Sequence, residues 1–323
     1  DCNAATYYRY TRYLFEGNKN FEENLDYLLT YVHTPYFTKE NVEKEKGIII
    51  EELLQYQDMV DCVLDDVTKE GIFCYDPMRV DIGGTVDSVK QITKEDLDIT
   101  YQTFYQPSNM FLVITGHFDK EKAMEIIRNN KALNQAPTNH PIARKSYKEP
   151  SRVNQEEQEI SFNTTTTKMT YSIKIDCRKE KKSQFYITNL YLSAMLSMLF
   201  GLSSQFRERM KKDKKYTAFH YYKDFSNGII YITFEAETEE PEFLMNEIRK
   251  EITNLDLVEK EFKRVIKVWI SSEVIMMDNI NVTLDNIVYD VIEYGDVIPN
   301  KTQIYKSLEF NELVSTMKNI DFS

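Results

Sequence analysis

Glu45-Lys-Gly-Ile-Ile-Ile-Glu-Glu52 is the stretch on which the reading of this chain turns. Its two outer acids, Glu45 and Glu52, are seven residues apart, two turns of helix, so both carboxylates stand on one face. Ile48, Ile49, Leu53 and Leu54 alternate with them and predict a buried neighbouring face. Extended both ways, the pattern predicts one long helix over residues 38–68, N-capped by Thr38 with Glu40 in its first turn. Two acids on a helix facing a cleft suit a metal ion or proton transfer. The ordinary alternative is a solvated acidic face.

Working outward, residues 6–15 are rich in aromatic and β-branched side chains and predict a strand. Phe21, Leu25, Leu28, Leu29 and Val32 recur at helical spacing up to Pro35. Residues 76–93, with Pro77, Gly83 and Gly84, predict a loop holding a short helical piece. Thr93-Lys-Glu-Asp96 opens another helix. Met110-Phe-Leu-Val-Ile-Thr115 predicts an apolar strand, and Asp119 starts one more helix. Pro137, Pro141 and Pro150 lie in a polar, aperiodic stretch that reads as a linker between domains.

Beyond the linker, residues 159–162 and 169–175 alternate as strands, and a long helix covers 181–200, burying Phe185, Leu192, Met195 and Leu199. A short basic helix follows at 204–212. Strands at 216–222 and 229–234 flank Asn227-Gly228, a hairpin signal. Helices at 242–252, 258–276, 282–293 and 311–319 complete the pattern. The two halves share an order of strands and helices, and the second stops short of a closing strand, so the chain reads as clipped at its C-terminus. The fold class is α+β, in two like half-modules, each a mostly antiparallel sheet with helices packed on it. Module one spans 1–135, the linker 136–152 and module two 153–323.

Length and composition agree. A chain of 323 residues with 42% apolar residues can bury two cores. A net charge of −12 argues against nucleic acid as a partner, and so against base stacking on the tyrosines at 7–13. Cys2, Cys62, Cys74 and Cys177 form no C-x-x-C pair and read as buried free thiols in a reducing, cytoplasmic setting. The apolar run at 186–200 contains Thr188, Asn189 and Ser193, too short and polar to span a bilayer.

Several separated motifs now resemble one family, the insulinase-like or pitrilysin-type zinc peptidases, and within it the bacterial processing-peptidase branch. They are Asn3-Ala-Ala-Thr6 leading into Thr11-Arg-Tyr-Leu-Phe15, Asn20-Phe-Glu-Glu-Asn-Leu25, Thr34-Pro-Tyr-Phe37, and the stretch from Glu45 to Glu52. Asp81-Ile-Gly-Gly-Thr85 and Phe104-Tyr-Gln-Pro-Ser-Asn-Met110 continue the series in the same order. Residues 150–323 match in element order and around Leu202-Ser-Ser204.

The resemblance implies a zinc endopeptidase that cuts peptides or unfolded segments inside a closed chamber. It makes Glu52 the downstream zinc ligand and Glu45 its supporting acid. Asn3, Ala4 and Thr6 become the strand that pairs its edge with an extended substrate. Arg209 and Tyr216, seven residues apart, become candidates to reach the substrate carbonyl, with Met210 a competing alignment. A homo- or heterodimer with a related subunit is implied as well.

The family's inverted H-x-x-E-H zinc motif is not present in these residues. None of His33, His117, His140 and His220 lies one turn from another. One carboxylate cannot hold a catalytic zinc, which takes three protein ligands and an open position. These residues alone are therefore expected to bind no zinc and to be inactive. The chain reads either as a fragment of an active peptidase or as a non-catalytic subunit that forms chamber wall for an active homologue.

Overall fold

The computed structural model describes residues 1–136 and 141–322, so Pro137 and His140, near the start of the expected linker, lie outside the described residues, as does Ser323. Strands β1 (Cys2–Thr6) and β2 (Thr11–Phe15) form an antiparallel hairpin with Cys2 opposite Phe15 and Thr6 opposite Thr11. This corrects the single strand expected over 6–15. The Tyr7 N–H donates to the Tyr10 carbonyl at 2.8 Å, so the chain reverses at Tyr8-Arg9. Neither turn residue is a Gly, Asn, Asp or Pro, and the reversal therefore left no turn signal.

Helix α1 (Phe21–Val32) is followed by α2 (Lys39–Gln57), whose Thr38 hydroxyl accepts the Asn41 N–H at 3.1 Å. The long helix expected over 38–68 is two helices. Asp58 caps α2, the backbone bonds tighten to Asp58 N–H on Gln55 and Met59 N–H on Tyr56, and α3 (Val60–Ile72) starts afresh. Asp is a weak helix former that competes for backbone donors. A 3₁₀ turn at Pro77–Arg79 and helices α4 (Val86–Gln91), α5 (Lys94–Phe104), α6 (Lys120–Asn129) and α7 (Lys131–Asn134) follow. Thr93 and Asp96 close a full capping box, and Asp119 caps α6 through the Glu121 and Lys122 N–H groups. Residues 110–115 belong to no strand, and Met110, Phe111 and Leu112 are exposed. Strand propensity without a neighbour to complete the hydrogen-bond ladder forms no strand.

The second half opens with β3 (Lys168–Asp176); residues 159–162, also expected as a strand, form none. Then come α8 (Lys182–Phe200), α9 (Gln205–Lys212), β4 (Ala218–Ser226), β5 (Ile229–Glu237), α10 (Pro241–Asn254), α11 (Glu259–Met277), α12 (Ile280–Tyr294), α13 (Lys301–Ser307) and α14 (Phe310–Lys318). The sheet order is β3-β5-β4, antiparallel throughout. Asn227 (φ 49°) and Gly228 (φ 80°) take the two left-handed positions that a two-residue hairpin turn with the sheet's own twist requires.

By contacts the chain forms two compact units. One is Asp1–Met59 with Val80–Tyr147, the other Val60–Arg79 with Lys148–Ser323. In the first, Leu25 and Leu29 of α1 bury against Ala123 of α6, bordered by Phe15, Phe21 and Ile127. In the second, β5 is buried on both faces. Ile230, Ile232 and Phe234 meet Ile173, Ile175 and Phe219 beneath α8, whose Leu192, Ala194, Met195 and Phe200 are fully buried. By length and composition the span 183–212 is apolar enough to cross a membrane, contrary to the sequence expectation, but more than half of its apolar window is buried in protein.

The opposite sheet face carries Lys174, Tyr231 and Tyr222 and is covered by α3 and the turn after it. The Phe73 ring meets Tyr231 edge-on at 5.4 Å, Thr68 and Thr170 share a hydroxyl bond at 2.8 Å, and the Tyr222 hydroxyl donates to Asp65 at 3.3 Å. At its centre is a buried ion pair, Lys174 to Glu149 at 2.5 Å, with both side chains 2% exposed. Glu149 also accepts the N–H groups of Cys74, Tyr75 and Asp76 at 2.8, 2.6 and 2.8 Å, and Lys174 donates to the Ile72 and Arg152 carbonyls at 2.9 Å each. Thus the stretch read as linker ends in a buried anchor, although residues 141–150 carry no helix or strand.

Candidate functional site

Helix α2 is held in its unit from both ends. Val42 and Leu53 are its buried residues, and Lys46, nearly buried, pairs with Glu43 at 2.6 Å and donates to the Lys90 carbonyl of α4 at 3.2 Å. Leu53, the residue after Glu52, lies against the Asp81-Ile-Gly-Gly-Thr85 turn. A Cβ at Gly83 would stand 2.6 Å from Leu53 Cδ2, so a larger residue there would force the buried Leu53 side chain to shift. Asp81 Oδ1 accepts the Gly83 N–H at 2.8 Å, Gly84 takes a positive φ of 78°, and Thr85 with Ser88 forms a capping box that starts α4. The glycine pair quoted from the sequence is thus the seat of the helix that carries the two acids.

Glu45 and Glu52 are both exposed on α2, two turns apart. The buried face expected beside them is narrower than the pattern implied. Ile48 is 51% and Leu54 49% exposed, and Leu53 is the buried one of that set. A run of isoleucines marks apolar character but not which side meets a neighbour. Glu52 has a partner the sequence reading missed, since the Tyr56 hydroxyl donates to its Oε1 at 2.8 Å. The spacing of four puts both on one side of the helix, a visible but unspecific signal.

In the same unit, β1 presents Asn3, Ala4 and Thr6 at an exposed surface, and Asn3 Oδ1 accepts the Ala4 N–H at 2.9 Å. Arg209 and Tyr216 belong to the other unit. Arg209 pairs with Glu251 at 2.7 Å and Glu247 at 3.4 Å, both on α10, while its neighbour Met210 is buried in the core. Tyr216 rests its ring 5.4 Å from that of Phe219. His33 caps α1, buried, with Nδ1 unpartnered and its basicity lowered by burial. His117 and His220 are exposed. All four cysteines are free, but only Cys74 and Cys177 are buried; Cys2, at the chain's exposed first strand, is open to solvent, against expectation. Among the described residues, no three His, Cys, Asp or Glu side chains gather closely enough to hold a metal ion.

The sequence profile described as the peptidase M16 inactive domain matches residues 91–268, just over half of the chain. This chain belongs to the M16 peptidase family. Among M16 relatives, the uncharacterized zinc protease YmfH of Bacillus subtilis is 35% identical over 249 residues, covering 76% of this chain and 58% of that protein. The chain thus spans under two thirds of that relative's length. A non-peptidase homolog, YmxG of Helicobacter pylori, is 20% identical over 93% of this chain and 70% of its own. The crystal structure of a putative M16-like peptidase from Alicyclobacillus acidocaldarius superposes with a TM-score of 0.90 at 24% identity, covering 99% of this chain and 77% of that one. The α+β fold of the M16 family is therefore this chain's fold. Zinc belongs to the M16 relatives by name, but the described donor set does not make a zinc site. A catalytic zinc takes three ligands from protein, and the described residues bring no such set together.

Proposed function

We propose that this chain is the part of an M16 zinc endopeptidase that contributes Glu52 as the third metal ligand and Glu45 as its supporting acid. The H-x-x-E-H residues would come from outside these 323 residues. The observation that carries this reading is the pair of exposed carboxylates on α2, seated by Gly83 and two turns apart, in a chain of this family. In that reading β1 takes an extended peptide or unfolded segment along its edge. Four free thiols support a reducing, cytoplasmic compartment.

The test uses the protein as its gene encodes it. Glu52→Gln is expected to remove most of the bound zinc, measured by elemental analysis, and to lower peptide turnover by at least about 100-fold, since a direct ligand counts for more than the groups that hydrogen-bond to ligands, whose loss costs about 10–100-fold. Unchanged zinc content and turnover would sink the ligand assignment.

A second reading rests on two specific matches, the inactive-domain profile over 91–268 and the non-peptidase homolog. In it the chain is a non-catalytic subunit of a homo- or heterodimer, forming chamber wall and substrate surface for an active homologue. Zinc-free protein that raises turnover only when mixed with a related active subunit is the result that reading requires.

A further inference from the structure

The hydrogen bonds at the two ends of the β1–β2 hairpin fix which backbone groups of β1 are spoken for. Asp1 and Glu16 exchange both of their bonds, each at 2.7 Å, and the Tyr7 N–H donates to the Tyr10 carbonyl at 2.8 Å. In an antiparallel ladder, bonded and non-bonded pairs alternate. With Cys2 opposite Phe15 and Thr6 opposite Thr11, the bonded positions on β1 are therefore 1, 3, 5 and 7. Cys2, Ala4 and Thr6 direct their N–H and C=O groups away from β2, to the outer edge. Among the described residues no strand pairs with that edge, because the sheet has two strands.

An open edge invites pairing with any extended chain. Here the middle donor is covered, because the Ala4 N–H is bonded to the side-chain carbonyl of Asn3 at 2.9 Å. We infer that Asn3 gates this edge. An incoming peptide carbonyl must displace Asn3 Oδ1 from the Ala4 N–H before three alternating backbone positions, about 7 Å apart along the strand, can be read together. The occupant is an extended peptide segment recognised through its backbone. The inference rests on the strand-addition reading of β1 proposed above, and adds the side chain that regulates it.

The probe is a short, unstructured fluorescein-labelled peptide, with its affinity for the full chain read by anisotropy. Asn3→Ala is expected to tighten binding about five-fold, the equivalent of a net hydrogen bond of about 1 kcal/mol no longer displaced. Ala4→Pro removes the outward N–H without touching the β1–β2 ladder, as proline at an edge allows, and is expected to weaken binding about five-fold or more. A copy of the peptide N-methylated at alternate residues, which cannot donate to the outward carbonyls, repeats that loss with no change to the protein. Weakening by Ala4→Pro and by N-methylation, with Asn3→Ala neutral or weaker, overturns the gate and leaves the edge reading standing. Indifference to N-methylation and to Ala4→Pro overturns both.

Discussion

Lys174 shows what a single residue can conceal in a sequence. In Lys168–Asp176 it occupies an alternate position between Ile173 and Ile175, where a half-buried strand normally turns a polar side chain to solvent. A third layer, α3 and its following turn, covers that face instead, and the partner Glu149 comes from the stretch read as linker. No local rule joins them. Burial alone would raise the Glu149 pKa, but the Lys174 ammonium and the N–H groups of Cys74, Tyr75 and Asp76 hold it below the usual carboxylate value. A depressed folded pKa contributes stability that is complete above the unfolded value, near 4.5, and is lost as pH falls through the folded one. Lys174→Met leaves a buried carboxylate unpaired and should cost about 3–5 kcal/mol in urea unfolding at pH 7. Glu149→Gln should flatten the fall in stability below pH 4.5. Equal acid sensitivity of Glu149→Gln and the wild type would show that this pair does not govern it.

At the level of elements, α2 separates what local rules can and cannot reveal. Thr38, Thr93 and Asp119 were readable as caps because capping is settled within four residues, and all three accept the expected backbone N–H. The face shared by Glu45 and Glu52 was readable from helical geometry. The end of α2 at Gln57 was not, since no Pro or Gly marks it, and neither was the exposure of Ile48 and Leu54, which depends on what packs beside them. Strands at 110–115 and 159–162 failed for a related reason, because pairing is a property of two segments. The same elements yield a prediction for the glycine seat. Gly83→Ala places a methyl 2.6 Å from Leu53 Cδ2 and should destabilise the first unit by about 1–3 kcal/mol. Gly47→Ala, on the same helix with open space around it, should be neutral or slightly stabilising. Thermal melts of the two variants compare them directly; equal losses would mean that the close approach is not what seats α2.

For the whole molecule, the decisive feature is that chain order and packing order differ. The path moves from one unit to the other at 59–60, returns at 79–80 and leaves again at 147–148. The resemblance to a two-module family was legible in residues 1–130, but nothing in a linear reading assigns Val60–Arg79 to the later unit, because its contacts lie with strands not yet reached. A chain ended at residue 147 should leave Ile72, Phe73 and Cys74, all buried in the full chain, without their cover. It should bind a hydrophobic dye and lose amide protection in α3 while α1 and α6 keep theirs. Full protection of α3 in the shortened chain would contradict the division into units.

Translation runs into the same arrangement. The Tyr222 hydroxyl that meets Asp65 is made 157 residues later, an interval of roughly 8–30 s at ribosomal speed. Throughout that time the nascent α3 carries the apolar end around Phe73 with its destination unwritten. A ribosome that pauses before β4 and β5 therefore lengthens the window in which a chaperone, or a stray neighbour, has access to that helix.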